Sequence, residues 1–142
     1  MELGYMTLAV KDLAASMEFY GGLLGFTPAD APAGAVSYGR DAWLTIVPGQ
    51  YLHLAEHSDP SDSQLVRTGI GVYPTGFHHI CLEVEPIDPY YRRIVDAGWP
   101  LERELLRGLD GNRQFWLRDP DGYPVEFMEM APDSLQLKSR EV

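Results

Sequence analysis

The stretch His79-Ile-Cys-Leu-Glu-Val84 repeats Tyr5-Met-Thr-Leu-Ala-Val10 at a distance of 74 residues, and this pairing decides the fold. Both stretches read as alternating strands that run into a helix start. From Gly25 onward the distance is 73. Gly25 pairs with Gly98, Trp43-Leu44 with Trp116-Leu117, Gly49 with Gly122, and Leu52-His53-Leu54 with Val125-Glu126-Phe127. One single-residue gap aligns the two halves, so one supersecondary unit is used twice.

The flanking residues fill in the unit. Asp12 suits an N-cap, with Leu13, Met17, Tyr20 and Leu24 on one helix face and Gly25 as the stop. In the second half Asp88 is the expected N-cap and Pro89 the first turn. Tyr91, Ile94 and Val95 are expected to face inward, and Gly98 ends the helix. Pro48-Gly49 and Asp119-Pro-Asp-Gly122 are turn sequences between the last two strands of each half. Each half therefore predicts strand, helix and three strands. The fold class is α+β, with two tandem βαβββ modules forming a cup-shaped mixed β-sheet. We expect a single domain over 1–142: module one about 1–57, a linker about 58–75, module two about 76–131 and a tail over 132–142. The polar, glycine-containing linker, with His57 at its edge, could double as a lid.

Composition narrows the function classes. With 142 residues and 45% apolar content, the chain can build one core. No run approaches the roughly 18 apolar residues of a membrane span. No basic segment leads into an apolar run at the N-terminus, so a cytoplasmic protein is expected. The single cysteine, Cys81, excludes an internal disulfide framework. A net charge of −10 argues against nucleic-acid and anionic-membrane partners and leaves a small molecule. The arginines crowd the second half, from Arg92 to Arg118, and read as a solvated face.

Strand alternation places the chemistry. Met6, Leu8 and Val10 oppose Tyr5, Thr7 and Ala9; Leu52 and Leu54 oppose Tyr51, His53 and Ala55. Ile80, Leu82 and Val84 oppose His79, Cys81 and Glu83; Val125 and Phe127 oppose Glu126, Met128 and Met130. Each module buries its apolar face under its own helix, which leaves the other face to line a cup. Tyr5, His53, His79 and Glu126 hold repeat-related places in it. Two imidazoles and a carboxylate suit a divalent ion, so His53, His79 and Glu126 are the expected metal ligands. Tyr5 carries a phenol, a poor neutral ligand, and is expected to donate a hydrogen bond to substrate or bound water. His78 is expected on the helix side with a structural role, and Cys81 as a small lining residue.

Val10-Lys-Asp-Leu13 with Met17-Glu-Phe-Tyr20 and Leu24-Gly25-Phe26 forms the first signature. Gly76-Phe-His-His-Ile-Cys-Leu-Glu-Val84 forms the second. Gly111-Asn-Arg-Gln-Phe-Trp-Leu-Arg-Asp-Pro-Asp-Gly122 followed by Glu126 forms the third. Over about residues 3–130 the chain resembles the vicinal-oxygen-chelate superfamily, closest to glyoxalase I-like and methylmalonyl-CoA epimerase-like members. The resemblance implies a divalent metal (Zn, Ni, Co, Mn or Fe, not distinguished), a small-molecule substrate and a homodimer. Its four ligand positions fall on Tyr5, His53, His79 and Glu126, and Glu126 becomes the base. The expected reaction is that of a lyase or isomerase passing through an enediolate. One alternative is an Fe(II) extradiol-type ring-cleaving dioxygenase. Another is a metal-free small-molecule or antibiotic-binding protein.

Overall fold

The computed structural model describes residues 3–30, 39–57 and 78–141. The chain divides into two compact units, Met1–Gly76 and Phe77–Val142. The linker over 58–75 and the side chain of His57 lie outside the described residues.

In the first unit β1 (Tyr5–Val10) leads into α1 (Leu13–Met17), which opens into wider π turns over Glu18–Leu23. β2 (Thr27–Ala29), β3 (Gly39–Val47) and β4 (Gln50–His57) follow, in the sheet order β1-β4-β3-β2. In the second unit β5 (Ile80–Glu83), α2 (Asp88–Asp96), β6 (Leu101–Arg107), β7 (Arg113–Arg118) and β8 (Pro124–Glu129) form the sheet β5-β8-β7-β6. The short α3 (Leu135–Lys138) ends the chain's regular structure before a last tight turn. These are the two tandem βαβββ modules expected from the repeat. In both, the first strand runs parallel to the last and the other pairings are antiparallel. No helix among the described residues is long and apolar enough to cross a membrane.

Each core lies where alternation puts it. Leu8, Val10, Leu44, Leu52 and Leu54 are buried with Phe19, Tyr20 and Leu24 of the helical segment. The π widening turns two consecutive aromatics, Phe19 and Tyr20, into one core; their rings meet edge to face at 4.9 Å. In the second module Ile80, Phe115, Leu117, Val125 and Phe127 are buried with Ile87 and Ile94, and Phe115 stacks on Phe127 at 4.7 Å. Val95 departs from expectation. It is exposed, because the short α2 turns only Ile94 fully inward.

The same ionic clasp ties helix to sheet twice. Glu56 accepts the Leu13 N–H at 2.7 Å and grips Arg40 at 2.7–2.9 Å. Glu129 accepts the Ile87 N–H at 2.7 Å and Arg113 at 3.1 Å. A carboxylate on a helix-start N–H answers both the orphan donor and the positive end of the helix dipole. The Leu13 N–H, then Arg40, hold the Glu56 carboxyl below the usual glutamate range. Asp12 caps α1 through the Ala15 N–H at 3.1 Å, as expected. Asp88 does not cap α2: it lies inside the first turn, makes no cap bond, and pairs with Arg113 at 2.8 and 2.9 Å. Gly25, Gly49, Gly98 and Gly122 all take positive φ, the turn and stop geometry expected of them.

Candidate functional site

Strand register builds two related clusters. Thr7 lies opposite His53, and His53 opposite Trp43. Cys81 lies opposite Glu126, and Glu126 opposite Trp116. The repeat pairs these residues one for one, Thr7 with Cys81, His53 with Glu126 and Trp43 with Trp116. Tyr5 and His79 then stand at matching ends, each with its ring 4.8 Å from the module's tryptophan.

In the first module the imidazole is saturated. His53 is buried, and its Nδ1 meets Thr7 Oγ1 at 3.1 Å while its Nε2 meets Asp41 at 3.0 Å. The ring also stacks on Trp43 at 4.4 Å. To serve a metal, His53 would have to surrender one of these hydrogen bonds. Beside it lies a pocket of about 590 Å³, lined by Tyr5, Trp43, Tyr51, Thr45, Asp30 and neighbouring small residues. Tyr5 and Tyr51 are adjacent across β1 and β4, and their exposed rings, 55% and 37% accessible, are open to a ligand.

In the second module the acid and base are left facing each other. His79 Nε2 lies 3.3 Å from Glu126 Oε2, and Glu126 is buried. That spacing is long for an N–H···O bond, which prefers roughly 2.7–3.2 Å. Two ligands about 2.0–2.2 Å from one tetrahedral dication sit roughly 3.3–3.5 Å apart, so the pair matches adjacent ligand positions. The other ring nitrogen, Nδ1, lies 2.8 Å from Nδ1 of His78. With the proton on His79, that bond leaves the Nε2 lone pair free to face a cation. His78 is therefore not the helix-side residue expected; it is exposed and partners His79. Burial, then the neighbouring Glu126 charge, push the Cys81 thiol up to about 12, which suits an unreactive lining residue.

The structure thus brings Tyr5 and His53 together in one module, and His79 and Glu126 in the other. Among the described residues, no three His, Cys, Asp or Glu side chains gather as a metal site. The spacing of the His79–Glu126 pair would suit two positions of a divalent ion. Sequence reasoning missed Asp41 and Asp30, and misplaced His78. Asp41 was visible as the same-face neighbour two residues before Trp43, and Asp30 as the acid at the repeat position of Arg103.

A family model for the Glyoxalase/Bleomycin resistance protein/Dioxygenase superfamily matches residues 2–127. A lactoylglutathione lyase from Pseudomonas putida is 27% identical, over 88% of this chain and 83% of its own. Among solved structures, a glyoxalase/dioxygenase from Nostoc punctiforme superposes with a TM-score of 0.72 at 22% identity, over 92% of this chain and 91% of its own. A lactoylglutathione lyase from Agrobacterium tumefaciens superposes at 0.64 and 22% identity, over 90% and 92%. At these identities the solved structures speak for the fold.

Proposed function

The chain belongs to the Glyoxalase/Bleomycin resistance protein/Dioxygenase superfamily, and on that premise we propose that it is a glyoxalase-like lyase or isomerase acting on a small molecule with neighbouring oxygens. The observation that carries this reading is the 3.3 Å approach of His79 Nε2 to a buried Glu126 carboxylate. In this reading His79 and Glu126 hold a divalent ion, which supplies Lewis-acid polarisation of the substrate oxygens. Glu126 Oε2 takes the carbon-bound proton and returns it to the neighbouring carbon. His79 keeps the carboxylate aimed and its own tautomer is set by His78. The lyase relative from Pseudomonas putida makes lactoylglutathione chemistry the first to assay.

The test compares wild type, His79→Ala and Tyr5→Phe, reconstituted with one divalent metal at a time, for metal stoichiometry and lactoylglutathione turnover. His79→Ala is expected to lose both, and Tyr5→Phe, in the other module, to keep its metal. Equal tightly bound metal in all three would overturn the ligand assignment. A second reading, a metal-free small-molecule binder, is favoured by the saturated His53 and the aromatic pocket beside it. Absence of metal in every reconstituted form, together with ligand binding, selects it. A homodimer remains part of the proposal, and sedimentation at 15.9 kDa in micromolar solution would remove it.

A further inference from the structure

The two tryptophans at matching strand positions differ in what covers them. Trp116 carries a cation: the Arg103 guanidinium sits 5.8 Å from its ring centre, and Arg103 lies opposite Trp116 across β6 and β7. At the same step of the repeat the first module has Asp30, next to Ala29, the residue opposite Trp43. The built-in cation has been replaced by an acid. Asp30 and the Trp43 ring line the 590 Å³ pocket, which has no basic side chain among the described residues that line it.

We infer that the first module is a receptor for an organic ammonium cation, held against Trp43, walled by Tyr5 and Tyr51 and neutralised by Asp30. The inference rests on the chain handling a small molecule and names that molecule's class. Aromatic faces carry negative quadrupoles, and several of them around an alkylated ammonium form the recognition cage for such ions. Tyr5 meets Trp43 at 4.8 Å with their planes 67° apart, so the two rings form a corner. The Trp43 side of the corner is fixed in advance. Trp43 stacks on His53, which Thr7 and Asp41 pin from both sides, so little ordering is left for binding to impose. The chain's net charge of −10 draws cations toward it.

The experiment is calorimetric titration of the full-length protein with choline and with its neutral tert-butyl isostere. Choline is expected to bind at least about fivefold tighter than the isostere, the lower end of what a partly desolvated cation–π contact supplies. Asp30→Asn and Tyr5→Leu are expected to weaken choline severalfold, whereas Tyr5→Phe, which keeps the ring, retains most of it. Circular dichroism on each variant checks that it is folded. Equal binding of choline and isostere, no binding of choline, or indifference to Asp30→Asn overturns the inference. The outcomes separate from those of the lyase reading. Choline discrimination without lactoylglutathione turnover leaves this site standing and removes the lyase. Turnover without choline discrimination does the reverse.

Discussion

The two modules agree in their framework and disagree in their chemistry. Both use the same strand order, the same tryptophan at the same register and the same Arg–Glu clasp on the helix start. On the opposite face almost every matched pair differs: Tyr5 against His79, His53 against Glu126, Asp41 against Gln114, Asp30 against Arg103. The consequences are local and opposite. Asp41 occupies the His53 imidazole and leaves the buried Trp43 Nε1 without a partner among the described residues; Gln114 satisfies Trp116 Nε1 at 2.9 Å and leaves Glu126 to His79. One module has an imidazole with both nitrogens engaged beside an open aromatic pocket. The other has an acid–base pair poised together beside a covered tryptophan. A duplicated unit can keep its scaffold and vary its other face, because the contacts that fold it and the candidate site residues sit on different faces.

The division can be broken most forcefully at Glu126. Glu126→Gln is expected to lower turnover by about 10²–10⁴, the usual worth of a positioned base. His53→Gln should leave the reaction's pH profile unchanged. Kinetics across pH for both variants decide this, and equal losses with the same altered profile would erase the distinction between modules.

A stability test comes next. Asn112 is fully buried, donates to Asp110 at 2.8 Å and accepts the Ala131 N–H at 2.8 Å; its repeat partner is Gly39, which has no side chain to do the same. Asn112→Ala should cost about 1–3 kcal/mol, the penalty for unpaired buried polar groups. Thermal denaturation measures it, and a neutral result would show that neither module needs the brace.

Acid should loosen the clasp. The folded-state pKa of Glu56 is depressed below its ordinary 4.5, first by the Leu13 N–H and then by Arg40. Its contribution to stability is therefore full above the ordinary value and is lost as pH falls through the lowered one. In Glu56→Gln that part of the acid slope in thermal midpoint should disappear.

The smallest effect expected is at Cys81. With its thiol pushed to about 12, first by burial and then by Glu126, alkylation near pH 8 should be slower than for a free thiol. Glu126→Gln should speed it modestly. Unchanged rates would mean that the Glu126 charge does not reach Cys81.

Much of this was legible in the residues. The repeat gave both sheets, because period-two alternation and matched glycines survive divergence. Tyr5, His53, His79 and Glu126 could be assigned matching strand positions because register follows from the same alignment. The clasp was equally available, as Arg40 and Glu56 recur at Arg113 and Glu129, but ion pairs leave no periodic signature to draw attention to them. The saturation of His53 was not readable, since it depends on Thr7 and Asp41 approaching from two different strands. Asp88 failed as a cap because Arg113 competes for the same carboxylate.

The π turns over Glu18–Leu23 explain the one gap in the alignment of the halves. Leu13 and Ile87, which donate to the two clasps, are 74 residues apart, while Gly25 and Gly98 are 73 apart. The extra residue of the first module therefore lies within the helical stretch, where α geometry has swollen to take it in. A π turn holds more residues than an α turn, so the first module fits one residue more than the second between the same two anchors.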